Sequence, residues 1–256
     1  MAMSETGLIV ADDGRIRSIT LDSPAKRNAL SPEVLANLLQ AINDSKLSSA
    51  RVVRLDHTGE SFSSGLDLRS VLGSKPDLSP LARVLEALQQ LRQPVVAVVD
   101  GAVRAGGLGI LAVCDVVFAS PRSHFAFSET KIGAVPALIS GPILRRVSPY
   151  RIVPYFLTGE TFAADVAARL GLVSVVSANP VAEAQQLTES VLSAAPGAVE
   201  VTLALLRQYM RGEKPSTESL QHLSEQVFAG DEAQEGIRAV LQGRAPIWRS
   251  LPDEVQ

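Results

Sequence analysis

Residues 103 to 115, VRAGGLGILAVCD, crowd Gly106, Gly107 and Gly109 into four positions between the apolar run PVVAVVDGA and an apolar stretch of helical character. Each glycine inside a helix costs roughly 1 kcal/mol against alanine, so a cluster there calls for a use of the bare backbone. Two chemistries would use it. Gly107-Leu108-Gly109-Ile110-Leu111-Ala112 fits the G-x-G-x-x-A fingerprint of a dinucleotide site, with Glu129 about twenty residues on. In such a site the strand runs almost directly into the first glycine, whereas Asp100 to Gly106 intervene here between VVAVV and Gly107. The other chemistry is an oxyanion hole. A helix beginning at Gly106 presents unpaired amides and a partial positive charge, which stabilise an oxygen that becomes negative during reaction. A second amide would come from another loop, and SFSSGLDLR, residues 61 to 69, is the candidate. Pattern alone does not join the two.

Polar residues near these stretches have plainer readings. His57 follows the strand-like VVRLD and His124 precedes Phe125, which suits surface or packing roles. Asp115 closes the apolar helix and reads as structural. Ser128 and Ser140 lie close enough to Glu129 in sequence to hold a water. Arg104, directly ahead of the glycines, reads either as an exposed arginine or as a contact for an anionic ligand.

The elements that must position these residues follow from hydrophobic period and turn chemistry. LIVADDGRIRSITLD is two alternating runs about Asp13-Gly14, a hairpin signal. Ser31-Pro32-Glu33 starts a helix that the apolar period carries to about Lys46. ARVVRLDHTG reads as a buried strand, and residues 61 to 79, rich in Ser, Gly and Pro, as loop. A helix from about Pro80 ends before Pro94, and VVAVV is a short continuous strand. Further strands are expected at DVVFA and LVSVVS, with helices alone from about Val181. The fold class is therefore α/β first and all-α last. With 256 residues and 46% apolar, the chain can bury a sizeable core. Its formal charge of -3, without a Lys/Arg cluster larger than Lys26-Arg27 or Arg145-Arg146, argues against nucleic acid as a partner. One cysteine, Cys114, rules out an intrachain disulfide and a thiolate metal cluster, and no run approaches the ~18 apolar residues of a membrane span. A cytoplasmic protein that binds small molecules, with no metal and no membrane partner, is the expectation.

Taken together, SPAKRNALS, TGESFSSGLDL, GAVRAGGLGILAVCD, FSETKIGAVP and DEAQEGIRAVLQGRAPIW resemble the enoyl-CoA hydratase/isomerase (crotonase) family, in this order and over nearly the whole chain. The resemblance implies a spiral of strand-strand-helix turns over residues 1–195 and a C-terminal helical trimerisation region over 196–256, assembled as a homotrimer or hexamer. It implies an acyl-CoA thioester as substrate, with no separate cofactor. The thioester oxygen would accept hydrogen bonds from the amides of Leu66 and Gly106, stabilising an enolate. Lys26 and Arg27 stand where the family places cations near CoA phosphates, and the loop of Ser64, Gly65, Asp67 and Leu68 where it contacts the CoA adenine. Of the two glutamates typical of hydratases, Glu129 matches the second. The first would fall at Gly109 and is missing. One carboxylate suffices to move a proton between two carbons, so the resemblance leans to double-bond isomerisation over hydration, with acyl-CoA binding alone, hydration, thioester hydrolysis and decarboxylation as alternatives. Two further departures stand out: Gly243, beside Arg244, replaces a C-terminal cation, and Ala137-Leu138-Ile139 replaces a glycine-rich continuation.

Overall fold

The computed structural model describes residues 6–73 and 75–249. The hairpin signal at Asp13-Gly14 produces β1 (Leu8–Asp12) and β2 (Ile16–Leu21), paired antiparallel with Leu8 opposite Leu21. Ser31 caps α1 (Pro32–Leu47) by accepting a hydrogen bond from Val34 N at 3.2 Å, with Pro32 in the first turn, where its missing N–H costs nothing. Three strand-strand-helix turns follow: β3 (Val52–His57), β4 (Ser61–Ser63) and α2 (Ser79–Gln89), then β5 (Val95–Val99), β6 (Ala102–Arg104) and α3 (Gly106–Val113), then β7 (Val116–Ala119), β8 (His124–Ala126) and α4 (Ala137–Arg146). Beyond them come α5 (Pro149–Thr158), β9 (Phe162–Ala163), α6 (Ala164–Leu170), β10 (Val175–Val176), α7 (Pro180–Ser193), α8 (Pro196–Met210), α9 (Thr217–Ala229) and α10 (Asp231–Leu241).

In each of the three turns the first strand joins one sheet and the second strand another. The six-stranded sheet runs β1-β2-β3-β5-β7-β10 and is parallel from β2 onward. Its central strand β5 is buried at all five positions, as a parallel strand covered on both faces requires. The four-stranded sheet runs β4-β6-β8-β9, with β4, β6 and β8 parallel. Of the helices that follow, α2 buries Leu81, Val84, Leu85 and Leu88 at helical spacing, and α3 is buried along its whole length.

The α/β-then-α order is as the sequence reads. The loop expected over 61 to 79 is corrected in part: its start is β4, and Leu68–Ser70 is a 3-10 turn. β4, β6, β8 and β9 are two or three residues long, too short to show a period. Two compact units emerge, one up to Gln185 and one from Gln186, so the division falls inside α7, before the 195/196 boundary expected from sequence.

Candidate active site

The segments singled out in the sequence leave the same end of one sheet. Because β4, β6 and β8 are parallel neighbours, Ser64-Gly65-Leu66, Ala105-Gly106 and Phe127-Ser128-Glu129 all emerge from their C-terminal ends, where adjacent strands bring loops together. Ala105 N donates to Ala126 O at 3.1 Å, tying the start of α3 to the strand that leads into Glu129.

Gly65 brings the first two loops into contact. It has φ +88, a left-handed conformation open to glycine, and a Cβ there would lie 2.8 Å from Ala105 Cβ and 3.6 Å from Gly106 N. Gly107 is needed for a similar reason, since its Cβ would lie 2.9 Å from Ser63 Cβ. Glycines thus let the first turn of α3 close on β4. Among the described residues, neither Leu66 N nor Gly106 N donates to a protein acceptor. The first is passed over by the bridge between Leu30 and Leu66, in which Leu30 N donates to Gly65 O at 2.8 Å and Asp67 N to Leu30 O at 3.3 Å. The second is the first amide of α3, unpaired as helix starts are. Ala105, which caps that helix, sits at φ 48, ψ -120, a region alanine rarely adopts.

Glu129 lies in a 3-10 turn, Ser128–Ile132. Its Oε2 is buried and has no hydrogen-bond partner, and burial pushes its carboxyl above the usual carboxylate range. No second acid stands at Gly109. A Cβ at that position would meet Ile139 Cγ2 at 2.4 Å and Leu85 Cδ1 at 3.6 Å, so the space a longer side chain would need is filled by the apolar Ile139 of α4.

Lys26, Arg27, Ser64, Leu66, Asp67 and Leu68 line one concavity of about 430 Å³, with Gly65 buried beside it. Arg69 on the same rim adds a cation that the sequence reading did not single out. The loop is shaped by Asn28, also missed. Its Oδ1 accepts from Ser23 N at 2.7 Å, and its Nδ2 donates to Thr58 O and Ser61 O at 3.0 and 2.7 Å. Ser63 Oγ donates to Asn28 O at 2.9 Å and accepts from Gly65 N at 3.1 Å. The signal available was an asparagine between a basic pair and an apolar run, tolerant of the φ of 50 it adopts.

His57, Asp115, Ser140 and Arg244 are engaged in packing or in bonds within the fold. His57 packs edge-on to Phe62 and accepts from Asp100 N through Nε2 at 2.9 Å; burial lowers its pKa. Asp115 Oδ2 accepts from Val95 N at 2.7 Å, and Ser140 Oγ donates to Ala137 O within α4. Arg244 is committed to Glu235 through two bonds of 2.6 and 2.8 Å, which hold that carboxyl at about 2. The dinucleotide reading falls away, because the residues that intervene before Gly107 form β6, a strand of the other sheet. Among the described residues no group of three His, Cys, Asp or Glu side chains is arranged to hold a metal ion. Nor is any single described helix long and apolar enough to cross a membrane.

Known proteins resemble this chain over most of its length. A family profile described as Enoyl-CoA hydratase/isomerase matches residues 12–251. Enoyl-CoA hydratase EchA19 of Mycobacterium tuberculosis is 31% identical over 267 residues, covering 96% of this chain and 98% of its own. The human mitochondrial enoyl-CoA hydratase domain-containing protein 3 is 30% identical over 250 residues, covering 93% and 82%. A crystal structure of an enoyl-CoA hydratase from Shewanella pealeana superposes with a TM-score of 0.87 at 28% identity, covering 94% of this chain and 96% of that one. With its two-sheet spiral of strand-strand-helix turns and a profile match over nearly all its residues, the chain belongs to the enoyl-CoA hydratase/isomerase family and has the crotonase fold.

Proposed function

We propose that this protein moves a carbon-carbon double bond in an acyl-CoA thioester, with Glu129 as its single proton shuttle. The thioester oxygen accepts the free amides of Leu66 and Gly106, and the CoA moiety lies along the concavity of Lys26, Arg27, Ser64, Asp67 and Leu68. Two preorganised amides stabilise the enolate far more than the neutral thioester, which lowers the barrier to removing the α proton. The carboxylate takes that proton as the C–H bond breaks. It then returns it to the γ carbon as the new C–H bond forms, so a 3-enoyl ester becomes a 2-enoyl ester with no net proton change. A partly buried carboxylate with one buried, unpartnered oxygen and a raised pKa suits both halves of this cycle, because it is a stronger base than a solvated one.

The observation that carries isomerisation over hydration is the contact at Gly109. Addition of water asks for a second group to hold and activate it, and Ile139 fills that place with hydrocarbon. The relatives' names favour hydration as the second reading. Side-by-side assays of 3-enoyl-CoA isomerisation and 2-enoyl-CoA hydration decide between them. Isomerisation should be the faster in the wild type and fall about 10²–10⁴-fold in Glu129→Gln, while ester binding survives. Efficient hydration that persists in Glu129→Gln would refute the assignment. A homotrimer or hexamer in the cytoplasm belongs to the same proposal. The apolar side chains Tyr209, Met210, Phe228, Val240 and Leu241, exposed on the C-terminal helices, support assembly.

A further inference from the structure

Arg104 precedes the oxyanion loop yet has no part in the chemistry above, and it opens onto a second concavity. This one holds about 400 Å³ along the small sheet, and its charged or titratable lining is Arg27, Glu60, Asp100, Arg104, Arg122 and His124. Arg122 is already committed: its Nε and NH2 meet Asp100 Oδ1 and Oδ2, both at 2.5 Å. Glu60 adds one opposing charge near that pair. Arg27 and Arg104 make no ion pair among the described residues. Arg104 uses NH1 on two carbonyls, Val103 O at 3.0 Å and His124 O at 2.8 Å, which aims the guanidinium along the sheet and leaves Nε and NH2 unbonded. It is half-buried, and that burial lowers its pKa. A partly desolvated cation with no counter-charge carries a cost that an anion would offset. The hydroxyls of Ser61 and Ser64 also line the concavity, and neither donates to a protein acceptor among the described residues.

We propose that this concavity binds the phosphate group of a small molecule through the free guanidinium edges of Arg104 and Arg27 and the hydroxyls of Ser61 and Ser64. Guanidinium forks match phosphate oxygens in pairs, and a site of this volume admits a ligand larger than the ion alone. Arg27 and Ser64 also line the acyl-CoA concavity, so the two sites share a cation. Occupation of one therefore weakens the other, reciprocally. That antagonism rests on the acyl-CoA reading; the anion site itself does not.

Calorimetric titration of the full chain with inorganic phosphate, and separately with acetoacetyl-CoA, tests it. Arg104→Gln should weaken phosphate binding about tenfold or more, the worth of a charge-assisted bond, and leave the CoA-ester affinity within about twofold. Arg27→Gln should weaken both. Asp100→Asn removes a carboxylate and releases Arg122, so it should tighten phosphate binding, an outcome that misfolding does not mimic. Antagonism is read as a weaker acetoacetyl-CoA affinity in millimolar phosphate. The proposal is overturned if the wild type binds no phosphate at millimolar concentration, as when a second copy of the chain covers the face. It is also overturned if the Arg104 and Asp100 variants bind phosphate as the wild type does. Phosphate binding that follows the variants in a protein without affinity for acetoacetyl-CoA would uphold the anion site and remove the acyl-CoA reading alone.

Discussion

Glu129 and Ala105 show how a residue's environment decides its use. The folded pKa of Glu129 is raised because burial penalises the charge, so folding favours its protonated form. That contribution is fully present below the unfolded carboxylate pKa and is lost as pH rises through the folded value. Two consequences follow with opposite signs. Activity should rise with pH through the raised pKa, as the base form appears. Glu129→Gln, which never ionises, should be nearly inactive yet more heat-stable than the wild type near neutrality, with the difference closing at acid pH; thermal melts at two pH values check this. Ala105 presents a different case, in which the backbone itself carries the strain. At φ 48, ψ -120 a non-glycine residue costs of order 1–3 kcal/mol. Ala105→Gly relieves it while adding about 0.4–1 kcal/mol of unfolded-chain entropy. A net gain of about 1 kcal/mol in urea unfolding is expected, and a loss would show that the Ala105 methyl packs more usefully than its conformation costs.

At the scale of elements, the site depends on how closely α3 approaches β4 on one side and α4 on the other. Gly107 allows the first contact and Gly109 the second, where Ile139 occupies the groove. Installing a carboxylate by Gly109→Glu alone should therefore fail: the side chain would drive into Ile139 and Leu85, overpacking the core and burying a charge. A loss of at least about 1–3 kcal/mol is expected in denaturant unfolding. Gly109→Glu with Ile139→Gly should recover much of that loss and raise the hydration-to-isomerisation ratio. If the single variant is as stable as the wild type, α4 moves more freely than this packing implies. The spiral also explains why the loops meet. Each turn contributes its second strand to the same small sheet, so three loops far apart in sequence leave neighbouring strand ends.

At the scale of the whole molecule, the C-terminal helices carry apolar side chains that stand exposed among the described residues. Val240 and Leu241, 80% and 81% exposed at the end of α10, are the plainest. Sedimentation should give a trimer or hexamer for the wild type and smaller species for a Val240→Asp, Leu241→Asp double variant that keeps its helical circular dichroism. A wild-type monomer at micromolar concentration would count against assembly. The class of fold, the hairpin, the capped α1, the central strand VVAVV and the run of late helices were all legible in the residues, because each is written in a local period or a turn residue. Gly106, Gly107 and Gly109 announced bare backbone as well. The three-residue strands were not legible, being shorter than any period. Nor was the meeting of Gly65 with Ala105, the bonds from Asn28 to Thr58 O and Ser61 O, or the filling of Gly109 by Ile139, since each joins segments 30 or more residues apart. Composition and spacing determine which backbones can be bare and which stretches can pair. Which amide faces which carboxylate, and whether a hollow holds water or hydrocarbon, is decided only when distant segments are packed against one another, because that choice is made by excluded volume and not by local preference.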